Sequence, residues 1–463
     1  MIRLKQILYL SLFLFLGLTS DAQVISKPIG ITELLDRVTT FSTALSADSA
    51  SISVQGARSN ETSANSLPNF RLNYQADLGS NNNVSGPYMA FGIVPSNSRG
   101  VRTISNTKAA LTNLGIVSLD WEIYNFGLYK VQNAVARAEL NAEKSRFSQS
   151  RYQLRAVTID NYLSLLKLQD MLVIQQMNIG RNEQINRSII SLARSGIRPG
   201  VDTSIAGAEL SKSRLNYIEM ENAYKQVQLD LGVISGIPQE QIVADSTILD
   251  RLKSLEVNLS VKLTDSSSHP LLDYFRERYL TSVEKEDLVK KSYNPKVNLQ
   301  AAAWSRGSSI DANDNFNNLS RGLEWQRQNY LVGIGISYNL FDLRRRQLKL
   351  RSQKASSNMY LKQLRNERIL LSNAALQADL EVSTAHKRLD EIPNQLKAAG
   401  DGYRQKLSLY KNGLTDIIEL NAALNILYRA ESDFVNAKYL YIRSLFQKAI
   451  ATNQVDSLLT SLK

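Results

Sequence analysis

The sequence predicts a mainly α-helical protein with membrane β-structure, built as a duplicated repeat of helix, strand, strand, long helix, hairpin and helix. Three observations predict it. Residues 128 to 192 hold no proline and one glycine, Gly180, among Ala, Leu, Gln, Arg and Glu, and as one helix those 65 residues would span about 98 Å. Four separate segments alternate apolar and polar residues at the period of a strand with one greasy face. Finally, LARSGIRPGVDTSIAGAEL at 192–210 recurs as LYKNGLTDIIELNAALNIL at 409–427. A single shift of 217 pairs Gly196 with Gly413, Asp202 with Glu419, Ala206 with Ala423 and Leu210 with Leu427, as an internal duplication does. The same shift lays Trp121–Phe126 over Tyr338–Leu343.

Composition narrows the class. The 463 residues include only 9 Pro and 22 Gly, sparse for a chain of several ordinary domains. Met1–Lys5 carries two positive charges, an apolar run covers Ile7–Leu18, and Ser20-Asp21-Ala22 follows; this series reads as a secretory signal peptide over 1–22. The run is too short for a spanning helix, which needs about 20 residues. Without cysteine, the chain has no disulfides, thiolate metal site or cysteine nucleophile. The net charge of +12, or +11 without the signal segment, is spread along helices instead of clustered, which argues against a nucleic-acid partner.

In chain order, the first repeat occupies 23–236 and the second 269–452, with a polar linker at 237–268 and a tail at 453–463. Ile31 to about Ala57 reads as an amphipathic helix with Thr32 available as its cap. The first strand, about 68–78, alternates strictly from Phe70 to Leu78. Residues 79–111, rich in Gly, Ser and Asn, read as a loop. The second strand, about 116–124, places Val117, Leu119, Trp121 and Ile123 on its apolar face. A long helical hairpin follows over 128–236, reversing at Gly196–Gly200 and returning from Asp202. His269-Pro270 opens the next helix; strands three and four fall at about 295–304 and 330–341, the last with Val332, Ile334, Ile336 and Tyr338 on its apolar face. The second hairpin, 343–452, contains Pro393, Gly400 and Gly402, where a kink is expected, and returns from Asp416.

Strands of about ten residues with one greasy face fit a membrane barrel. Trp121, Trp304 and Trp325 fall in or beside these strands, as an aromatic girdle would. Four strands cannot close around an aqueous channel, and lipid forbids open edges, so several copies must share one barrel. The alternative, a secreted structural coiled coil that binds surfaces, requires the four alternations to be accidental. His269 and His386 are isolated and suit helix surfaces or caps, not a metal cluster; with no phosphate loop or nucleophile motif, no cofactor and no enzymatic activity are expected.

These residues resemble the TolC-type outer-membrane efflux channel family over nearly the whole mature chain. The resemblance is carried by the paired plan, by the turns Tyr124-Asn125-Phe126-Gly127 and Leu340-Phe341-Asp342, and by a Gly-x5-acid-x3-Ala-x3-Leu hairpin in each half. It implies a homotrimer with one twelve-stranded outer-membrane barrel and a helical tunnel reaching into the periplasm of a Gram-negative cell. Such a channel is the exit duct of a tripartite efflux or type I secretion system, and its partners are a periplasmic adaptor, an inner-membrane pump and outer-membrane lipid. The reversals Ser195-Gly196-Ile197 and Asn412-Gly413-Leu414 would be the adaptor-docking tips. Asp202, Tyr410 and Glu419 would hold the entrance closed, with Arg198 supplying a base. Thr415 stands where the family can place a basic residue and Ala422 where it can place a second acid. Asp202 and Glu419 also suit a plain helix start, and the sequence leaves both roles open.

Overall fold

A computed structural model describes residues 28–82, 104–247 and 269–461; the signal-peptide reading and most of the predicted linker lie outside them. The described elements are α1 (Ile31–Phe41), α2 (Thr43–Ala64), β1 (Asn69–Ser80), β2 (Ala109–Tyr124), α3 (Leu128–Arg194), α4 (Gly200–Ser235), α5 (Pro270–Lys291), β3 (Lys296–Ser308), β4 (Arg327–Ser337), α6 (Asp342–Lys411), α7 (Ile417–Ala451) and α8 (Val455–Ser461). Short 3-10 turns lie at Gln239–Gln241 and Leu319–Leu323. The chain forms two compact units, each assembled from separate stretches: Met1–Ser51, Lys144–Phe275 and Gln363–Lys463 in one, Ile52–Glu143 and Arg276–Lys362 in the other.

Several expected boundaries move, each for a local reason. The predicted helix over Ile31–Ala57 is two helices, because Ser42 takes an extended ψ and its hydroxyl accepts from the Leu45 amide at 3.4 Å, as N-capping serines do. Thr32 caps nothing, since the N-cap of α1 is Gly30. The second strand starts at Ala109 instead of 116. The fourth stops at Ser337: the Asn339 side chain accepts from the Phe341 amide at 3.2 Å and turns the chain into α6, so Tyr338 lies beyond the strand. The return helix α4 starts at Gly200 behind Pro199. The expected tail contains α8, and Pro393 lies inside an uninterrupted α6.

In the helical unit, apolar stripes of α1, α3, α4, α7 and α8 bury one another around Leu34, Tyr162, Leu166, Leu231, Phe446 and Leu458. A one-rung parallel bridge, Ile29 to Ala244, closes this core. The Tyr162 hydroxyl ties that rung to α3 by donating to the Ile29 carbonyl at 2.9 Å and accepting from the Asp245 amide at 3.1 Å. Antiparallel to α3 runs α7, joined to it by ion pairs Arg443–Asp160 (2.5 Å), Lys438–Asp170 (3.2 Å) and Arg181–Glu431 (2.5 Å). His269 caps α5, its Nδ1 accepting from the Leu271 amide at 3.2 Å. His386 lies on the α6 surface beside Asp390.

In the second unit the strands form one antiparallel sheet in the order β1-β2-β3-β4. Its register carries the sequence pattern across all four strands. Phe70, Leu119, Ala301 and Val332 fall in one row; Leu72, Val117, Ala303 and Tyr330 in the next; Trp121, Leu299 and Ile334 in another. Paired residues share a face, so the apolar side chains make one continuous surface. The opposite face carries rows such as Asn69, Asp120, Gln300, Gly333 and Arg71, Ser118, Ala302, Leu331. Two positions depart from the simple alternation. A bulge between Glu122 and Tyr124 puts Tyr124 opposite Val297 and leaves Ile123 without a cross-strand partner. Trp304 pairs with Ile116 and Asn329 on the polar face, so only Trp121 and Trp325 border the apolar one. The ring of Trp325 meets Tyr74 edge-on at 5.8 Å.

The β3–β4 connection folds back on the sheet through two glycines. A Cβ on Gly307 would stand 1.9 Å from the Glu324 carbonyl oxygen, and one on Gly322 would stand 2.1 Å from that of Leu111. Both obstacles are backbone. Gly307→Ala is therefore expected to release this connection at a cost of about 1–3 kcal/mol, read as faster tryptic cleavage after Arg321; an unchanged cleavage rate would show that the contact does not hold it.

Candidate functional site at the two helical reversals

Both reversals are built alike. Gly196 and Gly413 take left-handed φ of 75° and 79°, a conformation that glycine enters without strain. Behind each, two amides reach back into the ending helix: Gly196 to Ala193 (3.1 Å) and Ile197 to Leu192 (3.0 Å), then Gly413 to Tyr410 (3.1 Å) and Leu414 to Leu409 (2.9 Å). This is the Schellman arrangement. It leaves Ile197 and Leu414 64% and 73% exposed at the two turns, with Ser195 and Asn412 also exposed.

Between the turns, the structure brings three of the four predicted gate residues together. Arg198 donates to the carbonyl oxygens of Thr415 (2.7 Å) and Tyr410 (3.0 Å) and lies 4.5 Å over the Tyr410 ring. It is half-buried, not a solvated turn residue. The Tyr410 hydroxyl donates to Asp202 at 3.4 Å, and both residues are buried. Burial, then the Asp202 charge, raises the Tyr410 pKa. Asp202 is not a cap: it lies in the first turn of α4, behind Pro199. The ranking of these ties follows from geometry. A cation donating at normal distances to two carbonyls is worth more than one hydroxyl contact at 3.4 Å, which exceeds the usual 2.5–3.0 Å for O–H donors. Arg198 is the main link between the two reversals, and no basic residue at Thr415 is needed.

Glu419 stands apart. Although it occupies the Asp202 position of the repeat, it is exposed, accepting from Lys406 at 2.5 Å and from Thr415 at 2.6 Å. The Lys406 bond, then that of Thr415, holds its carboxyl below the usual pKa. The cap of α7 is Asp416, whose carboxylate accepts from the Glu419 amide at 2.8 Å. The Asp-x-x-Glu spacing of a capping box was the sequence signal for this. Lys406 gave no such signal, because it approaches from another helix.

A packed apolar layer of Ile185, Ile189, Ala206, Ile417, Leu420 and Leu424 supports the cluster. The cavity beside Tyr410 holds about 50 Å³, room for a few waters and no cargo. The site therefore offers reversible polar ties and exposed apolar tips, with no nucleophile paired to a base.

Comparison with known proteins gives this geometry its context. The family model described as outer membrane efflux protein matches residues 35–236 and 283–447. Among solved structures, the outer-membrane channel OprN superposes with a TM-score of 0.69 at 16% identity, covering 92% of this chain and 90% of that one. VceC from Vibrio cholerae gives 0.72 at 13%, covering 91% and 95%. CmeC of Campylobacter jejuni gives 0.72 at 13%, covering 94% and 89%. No curated protein matches the chain. The structural likenesses establish the fold, and the family match, running through both halves, establishes that the chain belongs to the outer membrane efflux protein family, a channel of the outer membrane serving as an exit duct.

Proposed function

We propose that three copies close their sheets edge to edge into one twelve-stranded barrel, and that their helical hairpins line a periplasmic conduit for cargo handed over by an adaptor and an inner-membrane pump. The observation that carries this reading is the four-stranded sheet, whose outer strands β1 and β4 have no further neighbour among the described residues. In hydrocarbon an unpaired edge leaves several backbone groups without partners, at several kcal/mol each. Cyclic repetition removes every edge at once. The apolar rows containing Val117, Leu119, Trp121, Val332, Ile334 and Ile336 then face lipid, and the polar face lines the bore. A secreted coiled coil would have no use for a register that gathers one face of four strands into a single apolar surface.

At the periplasmic end, the exposed tips Ile197 and Leu414 with Ser195, Gly196, Asn412 and Gly413 receive the adaptor. The Arg198–Tyr410–Asp202 cluster ties the two hairpins of one chain and sets how far they part; Glu419, tied to Lys406, stiffens the second hairpin alone. Native mass spectrometry of the detergent-extracted protein tests the assembly. A trimer is expected, and a stable folded monomer would overturn it.

A further inference from the structure

Arg306 and Arg327 are direct partners across β3 and β4. They share the polar face, in the row Gln75, Leu114, Arg306, Arg327, and both are exposed. Like charges directly opposite one another work against strand pairing, and a compensating carboxylate is the usual remedy. None is supplied: among the described residues neither guanidinium has an ion-pair or hydrogen-bond partner. Glu122 is taken by Lys296 at 2.8 Å. Asp120 pairs with Gln300, six residues and about 20 Å along the sheet from Arg306. Within one copy Asp77 lies two strands from β3, about 10 Å across, and it receives the Gln75 amide at 3.1 Å. The Asp311 carboxylate takes the Asn313 and Asn315 amides at 2.9 and 3.0 Å. The connecting residues 83–103 contain Arg99 and Arg102 and no acid. Glu324, exposed three residues before Arg327, makes no ion pair with either arginine, and charges beyond about 8 Å are largely screened at physiological salt, so the pair is not directly neutralised.

We propose that Arg306 and Arg327 form an anion-selecting site for solutes bearing a carboxylate or phosphate group. Guanidinium groups present forked donors that match the paired oxygens of such groups, and a solute bridging both would relieve their mutual repulsion. The assignment rests on the duct reading, in which the polar face lines the bore. Three copies then set the pairs in a basic ring toward the loop end of the barrel, where low-dielectric walls focus the field and rings of Arg or Lys favour anions.

The test is the reversal potential of the full-length protein in planar bilayers under a KCl gradient at low ionic strength. The wild type is expected to favour chloride. Arg306→Gln with Arg327→Gln lowers the chloride-to-potassium permeability ratio about threefold or more, the corresponding double Lys variant keeps it, and Arg321→Gln, the same charge removed from the neighbouring turn, leaves it unchanged. Inorganic phosphate and citrate compete with chloride in the wild type and not in the double Gln variant. An unmoved reversal potential in the double Gln variant, an equal shift from Arg321→Gln, or competition that persists without the pair would overturn the site while leaving a conducting duct. A wild type that forms no pore would overturn the duct reading instead.

Discussion

Ile334→Arg is expected to abolish most assembly into the outer membrane, while Gly333→Arg, one residue earlier at the same depth, is tolerated. Ile334 lies in the apolar row with Leu299 and Trp121 and is 70% exposed on the single sheet; in the proposed barrel that exposure would be to hydrocarbon. A charged side chain there costs about 2–4 kcal/mol near the midplane, a large share of the 5–15 kcal/mol by which proteins are typically stable. Gly333 belongs to the polar row of Gln300 and Asp120, and a Cβ built on it meets nothing within 4 Å, so an added side chain enters water. Heat-modifiable oligomer in the outer-membrane fraction measures both. Equal loss from the two substitutions would mean that the faces are assigned the wrong way round.

The second large effect is expected at the reversals. Arg198→Ala removes two carbonyl contacts and the packing over Tyr410, and hydrogen bonds from a charged donor contribute about 1.5–3 kcal/mol. The carbonyls are at helix ends that water can reach once the hairpins part, so the loss should favour an open entrance without unfolding the core. Single-channel conductance should rise, with trimer yield and melting temperature close to wild type. Tyr410→Phe, which removes only the 3.4 Å contact to Asp202, should move conductance less. A lower melting temperature with unchanged conductance in Arg198→Ala would assign the cluster to stability alone.

Much of this was legible because strands and helices write different periods into a sequence. The apolar face from Val117 to Trp121 and from Val332 to Ile336 follows from alternation alone, and the equivalence of Gly196 and Gly413 follows from spacing. What the sequence hid depends on single side chains competing for backbone groups: Ser42 splitting one helix into two and Asn339 ending β4. The bulge that exchanges Ile123 for Tyr124 leaves no period to read. At the site, duplication itself misled, because equivalent positions received different neighbours: Asp202 is buried under Tyr410, while Glu419 faces Lys406 in solvent.

The antiparallel pairing of α3 with α7 has a consequence for how the chain is made. Asp160 waits for Arg443 and Asp170 for Lys438, and Val455, Leu458 and Leu459 near the C-terminal end close over the same core as Ile31 and Leu34. Neither half of the duplication buries all of its apolar stripe alone: α1 and α4 share the core of α3 with α7 and α8. A polypeptide emerging amino end first therefore leaves part of the α3 stripe uncovered until α7 and α8 arrive. Contacts of such long sequence separation form slowly, and the exposed intermediate is prone to aggregate. Completion of the helical core thus waits for α7 and α8, and until they arrive its exposed part can be guarded only by something other than the chain itself.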